Sequence, residues 1–141
     1  ALAGPRWPAP SPADEQIEAW EQAVALAPER AEAWSELGER FFHDGALLGI
    51  RAPEARARAA FERASALDAT DPSAARHLVE LAVRAGDRAA IRQVATPARL
   101  RAAGPELGDY LAWRVATATG DSATLTRLRA RMPGLPTPAL R

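Results

Sequence analysis

Large apolar residues fall three and four positions apart through much of the chain, as in Trp34, Leu37 and Phe41 or Ala57 and Phe61, with charged residues between them. A period near 3.6 gathers such positions on one side of a helix and leaves the other side for water. The pattern breaks where helices should start and stop. Ser11, Pro12 and Asp14 open a first helix expected to run to about Ala27, since a hydroxyl accepts from orphan first-turn amides and a proline there loses no bond. Pro28 with Glu29 opens a second, to about Asp44, which Gly45 ends. Pro53 and Glu54 start a third through Leu67, and Asp71 with Pro72 starts a fourth that stops at Gly86. Asp87 caps a shorter helix, Thr96 with Pro97 begins another turn or two, Gly104 with Pro105 begins a helix to about Thr119, and Gly120 with Asp121 opens a last one to about Met132. The segment carrying Leu47, Leu48 and Ile50 lacks this period, yet it is apolar enough to fold back onto the core.

The pattern also repeats. Ala19 to Leu26 reads AWEQAVAL and, forty-one residues later, Ala60 to Leu67 reads AFERASAL, identical at five of eight positions. The Gly-Asp pairs at 86/87 and 120/121 are thirty-four residues apart. Between the two similar strings lies AWSELGERF, in which Trp34, Leu37, Gly38 and Phe41 share a helix face. Trp34, Leu37, Gly38 and Phe41, followed by Ala57 and Phe61, resemble the tetratricopeptide repeat, whose two helices carry Trp-x2-Leu-Gly-x2-Tyr and then Ala-x3-Phe before a proline. Trp20 and Pro28 stand in the places of that phenylalanine and that proline in the first helix. The departures are an insertion of about seven residues over 45–52, Gln16 where alanine is usual, and a late closing proline, Pro72.

The resemblance implies an all-α solenoid of antiparallel helix pairs, about three and a half repeats long. Its units are an extended Pro-rich arm over 1–12, a half repeat over 13–29, a repeat over 30–71 with the inserted loop 45–52, divergent repeats over 72–104 and 105–132, and a Pro-rich tail over 133–141. Bulky residues would fill the space between paired helices, and Gly38 would let a neighbour come close. An array opening on half a repeat has an apolar flank to cover, with Trp7 in the arm, an upstream repeat or another copy as candidates. The Ala/Arg-rich string with its GALLG loop is also similar to repeat regions of large bacterial signalling proteins, placed after serine/threonine kinase domains or in transcriptional regulators. That similarity implies a partner-sensing module whose catalytic domain lies elsewhere, and the absence of an initial methionine reads as a processed or excised chain.

In the resembled fold the first helix of each pair lines a concave face. The positions so implied are Ser35, Glu39 and Phe42, then Arg76, Glu80 and Val83, then Tyr110, Arg114 and Thr117. Arginine and tyrosine are frequent anchors at interfaces, so Ser35, Glu39, Phe42, Arg76, Glu80, Tyr110 and Arg114 are the candidate partner-binding residues. The opposing expectation is that Arg76 and Glu80, four apart, pair with each other in solvent. The lysine and asparagine set with which some relatives clamp a peptide carboxylate is missing, so recognition of a free C-terminus has no support.

Composition sharpens the picture in a few places. Alanine fills 35 positions and every basic residue is arginine, which favours helix, whereas β-branched and aromatic residues are sparse. Cysteine is absent, which excludes disulfides and thiolate chemistry. Formal charge is zero, but residues 1–70 carry twelve acids and seven arginines and residues 71–141 six and eleven, leaving the halves at −5 and +5. That asymmetry fits end-to-end self-association, the alternative function, as a repeat subunit stacking into oligomers or filaments. RNA binding is a second alternative, weakened because only Tyr110 and Trp113 could stack bases in the basic half. No nucleophile, phosphate-binding or metalloprotease motif occurs, and His43 beside Asp44 reads as a cation at a helix end. The sequence therefore calls for no enzyme, cofactor or metal, and for a protein or peptide partner or a second copy. No apolar run approaches a membrane span and no signal peptide is visible; compartment stays open, with the cytoplasm slightly favoured.

Overall fold

A computed structural model of the chain describes residues 12–134, and every regular element among them is an α-helix. In order these are α1 (Pro12–Leu26), α2 (Ala31–His43), α3 (Pro53–Leu67), α4 (Pro72–Ala85), α5 (Arg88–Val94), α6 (Pro97–Ala102), α7 (Pro105–Thr119) and α8 (Ser122–Arg131). Pro12 belongs to α1; the rest of the expected arm, with Ser11 and Trp7, and the expected tail from residue 135 lie outside the described residues.

Helix ends follow the local chemistry. Asp71, Asp87, Thr96 and Asp121 each accept from first-turn amides through a side-chain oxygen, giving partners to donors the helix itself cannot satisfy. Gly86 and Gly120 close α4 and α7 at φ of 70° and 76°, where a Cβ would be strained. The start of α2 differs from the expectation at Pro28: residues 28 and 29 form a turn, Arg30 is extended and the helix begins at Ala31. There Trp34 donates its indole N–H to the Pro28 carbonyl at 2.9 Å, which holds the turn outside the helix.

Helices adjacent in sequence pack together, α1 on α2, α2 on α3, α3 on α4 and α7 on α8, while α4 also touches α2 and α7. Two cores result, and α4 serves both. Ala74, Leu78 and Leu81 join Ile17, Leu37, Phe41 and Phe61 in the first; Ala75 and Val79 join Ala103 and Leu111 in the second. Phe61 is fully buried, and Trp34 packs half-buried against the same cluster. A Cβ placed on Gly38 would lie 2.7 Å from the Phe61 ring, so the α2–α3 approach depends on that glycine. Gly108 does the same for α7, where a Cβ would lie 2.4 Å from the Leu100 carbonyl oxygen. In the inserted loop Leu48 and Ile50 pack onto the first core, whereas Leu47 is exposed.

Candidate functional site

The seven candidate residues belong to α2, α4 and α7, and their environments divide them. Ser35 is buried. Glu39 is half-buried: its carboxylate accepts from the Ser73 hydroxyl of α4, and Oε2 lies 3.1 Å from His43 Nε2. Phe42 stands edge-on to His77 with ring centres 4.6 Å apart, and the Arg84 guanidinium lies 4.6 Å from its ring centre. Arg76 donates from Nη2 to His77 Nε2 at 3.0 Å; among the described residues it makes no ion pair with Glu80. Glu80 is half-buried beside this group. Tyr110 is 38% exposed, with its ring 6.0 Å from that of Trp113. Arg114, one turn further along α7, is half-buried and enters no hydrogen bond or ion pair among the described residues. The fold thus gathers Glu39, Phe42 and Arg76 around His77 and leaves Tyr110 and Arg114 outside that cluster.

His77 is the centre of the α2–α4 seam, and its partners define its chemistry. It is fully buried, stacked flat on Phe61 at 4.6 Å and flanked by Phe42. Nδ1 lies 3.0 Å from the Ser73 carbonyl oxygen, which can only accept, so Nδ1 carries the proton. Nε2 faces a guanidinium, which can only donate, so Nε2 is bare. The ring is therefore neutral. Burial pushes its pKa below the ordinary 6.5, and Arg76 adds to that, against the opposing pull of Glu39, the Ser73 carbonyl and Glu80. The 3.4 Å approach of Nδ1 to Glu39 Oε1 is accordingly an N–H beside a carboxylate rather than an ion pair. His43, whose side chain is about half exposed, completes the group, its ring centre 5.6 Å from that of His77.

Reading the sequence missed this cluster. Glu39 and His43 are one helical turn apart and so share a face, as do Ser73 and His77, but nothing local tells that the two faces meet. Grooves also open elsewhere. One crosses α1, α2 and α3 over Val24, Trp34, Leu37 and Phe41, and another between α6, α7 and α8 is edged by Arg101, Asp109, Arg127 and Arg131. None of the seven candidates lines either groove. No helix among the described residues is long and apolar enough to cross a membrane. No protein-family model matches the sequence, and the curated proteins and solved structures give no match either.

Proposed function

We propose that this chain is a non-catalytic protein-interaction module, a tetratricopeptide-like stack that takes a peptide or protein segment on the face of α4 and α7, with α2 as its rigid edge. The observation that carries the reading is Tyr110. It is an exposed large ring on a helix whose next turn presents Arg114, a cation with no internal partner among the described residues. Exposed tyrosine and uncommitted arginine are the side-chain types that most often supply binding energy at interfaces. Arg76 and Glu80 of α4, half-buried and without a mutual ion pair, extend the charged surface. Glu39 and Phe42 act from behind, holding α4 against α2. The test is selection of peptides from a displayed random library, followed by titration against variants. Selected peptides should bind Arg114→Ala and Tyr110→Ala roughly tenfold or more weakly with melting midpoints unchanged; equal affinity for parent and variants would remove the assignment.

End-to-end stacking is a second reading with its own support. Leu26, at the end of α1, is 86% exposed beside a groove of Trp20, Ala23, Ala27 and Ala33, and the two halves carry opposite charge. A mass that stays at 15.0 kDa across a concentration series eliminates it; growth with concentration that salt suppresses supports it.

A further inference from the structure

We infer that Glu39, His43 and His77 form a binding site for a divalent transition-metal ion of the zinc type, one that ties α2 to α4. The donor atoms of the three side chains all lie within 4.8 Å of one another. Around a tetrahedral zinc with bonds of about 2.0–2.2 Å, ligand atoms stand roughly 3.3–3.6 Å apart. Glu39 meets each imidazole with a different oxygen, Oε2 at 3.1 Å from His43 Nε2 and Oε1 at 3.4 Å from His77 Nδ1, so the carboxylate lies between the two rings and can face an ion with both oxygens. The set must tighten around the ion, and His43, whose side chain is about half exposed, lies on the open side of the seam where it can move inward. Two imidazoles and a carboxylate are the donor set that intermediate ions such as zinc prefer over magnesium or calcium.

The support around the three donors is built for orientation. Glu39 and His43 occupy successive turns of α2, so one face presents both. The Ser73 hydroxyl holds the Glu39 carboxylate, the kind of outer contact that aims a ligand. Phe61 and Phe42 hold the His77 ring. Coordination through Nδ1 asks His77 to exchange one neutral tautomer for the other: the proton leaves Nδ1, which gives up its 3.0 Å bond to the Ser73 carbonyl, and Nε2 takes one. Arg76 must then release Nε2. Arg76 is half-buried and gives up its 3.0 Å bond to His77 in that exchange, while its buried Nε has no hydrogen-bond partner to hold it in place. Water takes the remaining position on the side where His43 meets solvent. No other imidazole or thiolate can compete, because the chain has two histidines and no cysteine.

The experiment is calorimetric titration of zinc into the full chain at neutral pH, with imidazole resonances followed by NMR. One ion should bind per chain, both histidine rings should shift together, and the melting midpoint should rise with zinc concentration. His43→Ala and Glu39→Gln should each weaken binding by more than roughly tenfold. His43 is half-exposed, so its variant should keep the metal-free melting midpoint and report on the site rather than on folding. Absence of saturable one-to-one binding, or binding that shifts only one ring or survives both substitutions, would overturn the inference. None of these readouts involves Tyr110 or Arg114, so the outcome is independent of the peptide-binding test.

Discussion

At the residue scale the α2–α3 contact depends on one missing side chain. Phe61 fills a fully buried position directly against Gly38, and a methyl there would have to displace a ring with no free space around it. Gly38→Ala should lower stability by about 1–3 kcal/mol in urea melts, although alanine is the better helix former. An unchanged midpoint would mean the helices can separate without cost. Phe61→Ala should cost about 3–5 kcal/mol, and Trp34→Ala should cost less, since Trp34 is half-buried and part of its loss is one indole hydrogen bond to Pro28. His77 makes a pH prediction. Its folded pKa lies below the unfolded 6.5, so its contribution is complete above that value and is lost as pH falls through the lowered one. Melting midpoints recorded in chelator should therefore drop below pH 6.5, and the drop should shrink in His77→Gln. The stripe of Trp34, Leu37, Phe41 and Phe61 was legible because large apolar residues stand out among small ones. His77 was not, because its burial depends on α2 crossing α4, a tertiary fact with no local signature.

The elements were legible for a related reason: the chain marks its boundaries with residues whose backbone chemistry admits few alternatives. Asp71, Asp87, Thr96 and Asp121 cap where expected, and Gly86 and Gly120 stop where expected. The start of α2 was misplaced because Pro28-Glu29 carries the same signal as a true start, while the competing bond from Trp34 is not local. Asp71 is the most informative cap. It opens α4, the helix shared by both cores, and accepts from the amides of Ser73 and Ala74 at 2.9 and 3.0 Å. Asp71→Ala should cost about 1 kcal/mol and should also raise amide exchange at the start of α4. A loss confined to exchange, with no change in midpoint, would show that the first turn frays independently. Gly108 marks another limit on the sequence reading. It sits outside any recognisable repeat pattern, yet α7 can approach the Leu100 carbonyl only because it lacks a Cβ.

For the whole molecule, the ion pairs between elements, Arg56 with Glu21, Arg84 with Glu54 at 3.2 Å and Arg131 with Asp109 at 2.6 Å, join neighbouring helices at the surface. Exposed pairs of this kind contribute roughly 0–1 kcal/mol each, so the two cores, with α4 between them, hold the fold together. The all-α architecture could be read from helical period and punctuation; which charged residues remain available to a partner could not, since the Glu39 carboxylate meets the Ser73 hydroxyl only once α2 and α4 have packed. The most direct test is amide hydrogen exchange with and without a peptide obtained by selection. The account predicts added protection along α4 and α7 around Arg76, Glu80, Tyr110 and Arg114, with α1 and α3 unchanged. Protection confined to α1 and α3, over the groove that Trp34 and Phe41 line, would contradict it.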